Sequence, residues 1–209
     1  MTTFSWSPTA GTTASKAPRI EPALARRIKW VGFDVDGVLT DGGVYLGDVG
    51  GQRLEFKRYD IQDGLGIVML RMAGIATGIV TGRVSESVRL RAEELGVDDL
   101  VQDARAMKLR AIKRIAQARG IGLDEMAFVG DDLPDVAVLR AVGLPAVVAN
   151  ATLEAYKEAR HTALLARGGN GAVREFAELL LSARGEWDAV VERYVSSRAA
   201  DVEPEGVVP

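Results

Sequence analysis

The stretch Val31-Gly32-Phe33-Asp34-Val35-Asp36-Gly37-Val38-Leu39-Thr40-Asp41 constrains this chain more than any other. Its apolar start reads as a strand buried on both faces, the pattern of a parallel sheet. The strand then ends in two carboxylates one residue apart and a glycine turn. Open α/β sheets gather their ligands outside the C-terminal ends of the strands. Asp34 therefore marks an edge on which other reactive groups should converge.

The rest of the chain repeats this design. Residues 75–80 read as a strand running into Thr81-Gly82-Arg83, and residues 126–129 as a strand ending in Gly130-Asp131-Asp132-Leu133-Pro134-Asp135. Shorter strands are expected at residues 100–101 and 145–149. Apolar spacing predicts helices over residues 65–72 with Asp63 as cap, from Ser85 to about Gly96, and over 106–118 with Lys108 in the first turn. Further helices are expected over 136–142, 153–159, 171–182 and 186–195. Val44-Tyr45-Leu46 and Leu54-Glu55-Phe56 flank a glycine turn, which predicts a small β-hairpin inserted beside the first strand end. Alternating strands and helices at this spacing predict an α/β fold with a doubly wound, mostly parallel sheet.

Length and composition narrow the chemistry. The 209 residues suit one α/β domain, expected over residues 26–197. Residues 1–25, largely Thr, Ser, Ala and Pro, are predicted to be a mobile extension and residues 198–209 a flexible tail. No run approaches the roughly 20 apolar residues of a membrane span, and a net charge of -3 with mixed signs leaves no footprint for nucleic acid. The chain has no Cys and one His, His161, which reads as surface or core filler rather than a ligand. Thiolate nucleophiles, His-based triads and Cys or His zinc sites are thereby excluded. What remains is chemistry on carboxylates, hydroxyls, Lys and an oxygen-seeking metal, in a chain compatible with a reducing compartment.

Three strand ends carry suitable groups: Asp34 and Asp36, then Thr81, then Asp131, Asp132 and Asp135. Three carboxylates on one sheet edge can share a hard cation, and Lys108 at a helix start can join them. This set fits phosphoryl transfer. A carboxylate can act as nucleophile, a second one two residues away can move the proton, and Lys108 with the Thr81 hydroxyl can bind the phosphoryl charge. Each piece alone has a plainer reading: Asp132 and Asp135 as turn formers, Thr81-Gly82 as a tight turn, Gly168-Gly169 as loop punctuation. Order decides between this and a phospho-receiver module, which places its acidic pair first and its Lys last. A catalytically silent oligomerisation domain would have no need of the full set.

Taken together, the Asp34–Asp41 stretch, Thr81-Gly82-Arg83, Lys108 and Gly130-Asp131-Asp132-Leu133-Pro134-Asp135 resemble the four motifs of the haloacid dehalogenase superfamily of phosphatases. Asp63-Gly64-Leu65-Gly66-Ile67 and residues 168–176 resemble its subfamily acting on 3-deoxy-D-manno-octulosonate 8-phosphate, and the similarity spans about residues 29–194. The resemblance implies a capless Rossmann-like fold with Asp34 as nucleophile and Asp36 as acid and base. It implies Mg2+ held by Asp34, the backbone carbonyl of Asp36 and Asp131, with Thr81, Gly82 and Lys108 on the phosphate and Asp132 and Asp135 in support. Arg83 would take the substrate carboxylate, since relatives acting on the nine-carbon 2-keto-3-deoxynonulosonate 9-phosphate tend to carry Glu there. A cytoplasmic homotetramer, closed by its hairpins and serving lipopolysaccharide precursor synthesis, completes the expectation.

Overall fold

The strands that the apolar runs predict form one five-stranded parallel sheet in the order β5-β4-β1-β6-β7. These are β1 (Trp30–Phe33), β4 (Ala76–Thr81), β5 (Asp99–Gln102), β6 (Met126–Gly130) and β7 (Leu144–Val147). The computed structural model describes residues 18–199. The remainder of the expected extension, residues 1–17, and residues 200–209 lie outside the described residues.

β1 is central, and alternation along it divides the core. Val31 and Phe33 face one layer of helices: α1 (Pro22–Arg27), α2 (Ile61–Met72), α7 (Ala172–Arg184) and α8 (Trp187–Ala199). Ile67, Leu70, Phe176 and Leu180 fill that side, and α3 (Glu86–Leu95) adds Val88 and Leu95 to it. Trp30 faces the opposite layer, where α4 (Lys108–Arg119), α5 (Leu133–Leu139) and α6 (Leu153–Ala159) gather Ile112, Ile115, Val138, Leu139 and Ala155 into one cluster with Phe128. Each such fully buried side chain contributes about 1.5–3 kcal/mol. Room for the Trp30 indole comes from Gly32 and Gly78, where any Cβ would collide with the ring, and its Nε1 donates to Asp99 Oδ2 at 2.8 Å.

Register then aligns the reactive ends. Phe33 pairs with Ile79 on one side and Val129 on the other, so Asp34, Thr81 and Asp131 leave the sheet at nearly one level. The hairpin, β2 (Tyr45–Val49) and β3 (Gln52–Phe56), turns at Gly50 and Gly51, both at positive φ. Its strands pair with each other and with no strand of the main sheet.

Several boundaries differ from the sequence expectation. Asp60, not Asp63, caps α2, accepting from the Gln62 amide at 2.7 Å. Asp63 is buried one turn in and serves α7, accepting from the amides of Arg174 at 2.9 Å and Gly171 at 3.3 Å. α4 starts two residues late because Ala106 takes a positive φ of 52°. α5 starts three residues early, since Asp132 caps it and Pro134 suits its first turn. β7 stops at Val147, and α8 runs on to Ala199. Helix α1 crosses the boundary expected between residues 25 and 26, with Ala25 fully buried and Ile20 packed into the core.

Candidate active site

Asp34 follows β1, and the chain then turns through Val35–Leu39. Gly37 is required in that turn: its φ is +92°, and a Cβ there would collide with Asp131 Oδ2. Thr40 Oγ1 closes the turn by donating to the Val35 carbonyl at 3.1 Å. From the loop after β7, Asn150 Nδ2 donates to the Gly37 carbonyl at 3.0 Å and Asn150 Oδ1 accepts from the Gly168 amide at 2.7 Å. Gly168 sits so close that a Cβ would meet the Gly37 carbonyl oxygen. Residues read as loop punctuation thus hold the turn after Asp34.

Asp34, Asp36, Thr81, Gly82, Arg83, Lys108, Asp131 and Asp132 line one cavity of about 220 Å3. Lys108 Nζ lies 2.8 Å from Asp34 Oδ1 and 2.7 Å from Asp135 Oδ1. Asp135, fully buried, also accepts from the Asp131 amide at 3.0 Å and the Asp132 amide at 3.4 Å. Oxygens of Asp34, Asp131 and Asp135 lie within 4.8 Å of one another. Burial, then the neighbouring Asp135 charge, pushes Asp34 up to about 7 against the pull of Lys108. Burial, then Asp34 and Asp135, pushes Asp131 up to about 8. Burial works against the Lys108 ammonium, but Asp34 and Asp135 hold its pKa above the ordinary value.

A magnesium ion fits these residues. Asp131 Oδ1 is buried without a hydrogen-bond partner among the described residues, the donors present are oxygens, and the Asp34 and Asp131 carboxyls, both with raised pKa values, bring oxygens within 4.8 Å of each other. A hard divalent cation is the group such a donor set suits. Asp34, Asp131 and the backbone carbonyl of Asp36 are the candidates to hold it.

The remaining predicted residues fall differently. The Asp36 carboxylate stands apart from the acidic triplet and pairs with Lys57, whose side chain is 1% exposed. Asp132 is exposed and caps α5, accepting from the Leu133 amide at 2.7 Å, whereas Asp135 alone of the two holds Lys108. Thr81 is buried and its Oγ1 accepts from the Arg83 amide at 3.3 Å. The Arg83 guanidinium pairs with Glu55 Oε2 at 2.5 Å and lies 4.0 Å from Asp36 Oδ2. His161 is exposed after α6, its Nε2 accepting from Arg160 Nε at 3.3 Å, outside the cavity lining. Sequence reasoning missed Lys57, Glu55 and Asn150. Strand alternation at Glu55-Phe56-Lys57 is the signal for the first two, because it puts both charges on the face opposite Phe56.

Comparison with known proteins agrees with this geometry. The haloacid dehalogenase-like hydrolase model matches residues 44–143, downstream of Asp34 and Asp36. Over 166 residues the chain is 39% identical to the 3-deoxy-D-manno-octulosonate 8-phosphate phosphatase KdsC of Escherichia coli K12, covering 79% of this chain and 86% of that protein. The chain belongs to the haloacid dehalogenase-like hydrolases. It is an enzyme, a phosphoric monoester hydrolase. Among solved members of this hydrolase family, a probable YrbI family phosphatase from Pseudomonas syringae pv. phaseolica superposes with a TM-score of 0.77 at 41% identity, over 83% of this chain and 96% of that one. The 3-deoxy-D-manno-octulosonate 8-phosphate phosphatase of Moraxella catarrhalis, solved with magnesium, phosphate and the sugar acid, gives 0.76 at 36% identity over 83% and 97%.

Proposed function

We propose that this enzyme hydrolyses 3-deoxy-D-manno-octulosonate 8-phosphate to the free sugar acid and phosphate, with magnesium, in the supply of lipopolysaccharide precursors. The observation that carries the reading is Lys108 bridging Asp34 and Asp135 beside an Asp131 oxygen that lacks a partner among the described residues. Kinship with the KdsC phosphatases supplies the substrate class.

In this reading an Asp34 oxygen attacks phosphorus and the ester P–O bond breaks, leaving an aspartyl phosphate. Asp36 gives its proton to the departing sugar oxygen, then takes one from the water that cleaves the acyl phosphate. Lys108, the Thr81 hydroxyl and the Gly82 backbone bind the phosphoryl oxygens. Magnesium, when bound, supplies positive charge to those oxygens as they gain charge in the transition state. Asp135 positions Lys108, and Lys57 positions the Asp36 carboxyl. Arg83 is the seat for the substrate carboxylate, because a guanidinium takes a carboxylate in a bidentate, charge-assisted pair.

The described residues form no cap domain over the cavity, and the hairpin exposes Val49 (64%) and Phe56 (56%) on one face and Leu46 (76%) on the other. Apolar side chains exposed in this way favour self-association, and the proposed form is a cytoplasmic homotetramer with hairpins at its centre. Phosphate release from the octulosonate and nonulosonate esters, measured with magnesium and with chelator, tests the function. Magnesium-dependent turnover with a higher kcat/KM on the octulosonate ester is expected. Preference for the nine-carbon ester overturns the substrate assignment, and turnover that survives exhaustive chelation overturns the metal-dependent reading.

A further inference from the structure

A second, larger cavity adjoins the reaction site. It is a cleft of about 720 Å3 between β3 and the start of α3, lined by Glu55, Lys57, Tyr59, Ser85, Ser87 and Arg91 among others. Arg83 lines the reaction cavity, while Glu55 and Lys57 line the cleft. The 2.5 Å pair between Glu55 and Arg83 therefore stands between the two spaces. Sites that enclose a small organic ligand generally measure about 300–1,000 Å3. The 220 Å3 reaction cavity falls below that range, with room for a phosphoryl group and little else, whereas the cleft falls within it.

The polar groups on this partition are incomplete. Ser85 Oγ is buried with no hydrogen-bond partner among the described residues. A buried polar atom left without a partner is destabilising, so a hydroxylated ligand that reaches Ser85 Oγ gains from pairing it. Lys57 Nζ lies 3.2 Å from Glu55 Oε1, close enough to keep hold of this side chain if it leaves Arg83. Glu55 is also 24% exposed in its side chain and Arg83 44%, which makes exchange of one carboxylate for another inexpensive.

We propose that this cleft takes the hydroxylated carbon chain of the substrate, and that Glu55 is its gate, occupying Arg83 until the substrate carboxylate displaces it. Glu55 is then a specificity-determining residue. Esters without a carboxylate leave the partition shut and react only through the small cavity. This inference rests on the proposed role of Arg83 as carboxylate seat.

Steady-state kinetics on the sugar-acid phosphate and on an aryl phosphate, with Glu55→Gln, Arg83→Ala and the double variant, test it. An exposed pair of this kind is worth up to about 1 kcal/mol, which corresponds to a change of roughly two- to fivefold. Glu55→Gln is expected to lower KM for the sugar-acid ester by that factor and to leave KM for the aryl ester unmoved. The effect should vanish in the Arg83→Ala background, since a gate has nothing to guard there. Ser85→Ala should raise KM for the sugar-acid ester alone. A Glu55→Gln effect that persists without Arg83 identifies general charge repulsion and overturns the gate, as does an unchanged or raised sugar-acid KM in Glu55→Gln. If Arg83→Ala leaves sugar-acid kinetics unaltered, the carboxylate seat itself is wrong.

Discussion

Lys108 and Asp135 meet across 2.7 Å with both side chains nearly inaccessible to water, although one opens α4 and the other lies in the first turn of α5. Asp135 also accepts two backbone amides from the loop that carries Asp131. Removing one partner of a buried pair strands the other, at a cost of about 3–5 kcal/mol. Asp135→Ala is therefore expected to destabilise the protein by about 3 kcal/mol and to lower Tm by roughly 6–12 °C. Calorimetry checks this, and a shift under 2 °C would show that Lys108 finds adequate company in Asp34 alone.

Asp34→Asn should preserve the fold, because the amide oxygen still accepts from Lys108. It should abolish turnover, by roughly a thousandfold or more, since an amide is no nucleophile toward phosphorus. Circular dichroism and phosphate release report the two halves of this expectation. Retention of a tenth of wild-type activity would remove Asp34 from the nucleophile's role.

Metal and proton should compete. Asp34 near 7, Asp131 near 8 and Asp63 near 6 all have folded-state values above those of an unfolded carboxyl. Between pH 4 and 8 the folded protein thus binds more protons than the unfolded one, and its stability without metal falls as pH rises through that window. Magnesium, which needs the ionised carboxylates, should raise Tm more at pH 8 than at pH 5. Thermal melts at both pH values, with magnesium and with chelator, read this directly; a larger gain at pH 5 would contradict it.

Asp63 ties the two halves of one helical layer. It leaves α2 to cap α7, and Asp63→Ala should cost about 1–2 kcal/mol in urea unfolding. Activity should fall as well, because the cap holds the loop that reaches the Gly37 carbonyl. Unchanged unfolding would mean that water replaces the carboxylate at no cost.

Replacing residues 46–54 by a short turn removes the exposed Leu46 and Val49. Light scattering is expected to give a tetramer for the wild type and smaller species for this variant, with poor activity on sugar acids. A fully active monomeric wild type would refute the assembly.

The strand ends were legible because a parallel strand buried on both faces writes an unbroken apolar run, and its C-terminal neighbour must be polar. Asp34, Thr81 and Asp131 are read that way, and β1, β4 and β6 bring them to one level. Helix starts were less legible where two acids compete: Asp60 and Asp63 are both plausible caps, and only the position of α7 decides that Asp63 looks outward from its own helix. The positive φ of Ala106 had no sequence signal, since the residue is not glycine. Lys57, Glu55 and Asn150 act through contacts with residues far away in the chain, which periodicity does not encode. Asp132 and Asp135 are chemically alike, and burial alone separates a helix cap from a lysine anchor.

The seat of Gly168 on the Gly37 carbonyl fixes an order of events in the making of the molecule. All the acids of the site have been synthesised by residue 135, and every strand of the sheet by Val147. The turn after Asp34 still lacks its brace until residues 168–171 and α7 arrive. A nascent chain can therefore own the whole sheet and every reactive side chain and yet hold no finished site, so competence waits for residues 168–171 and the helix that follows them.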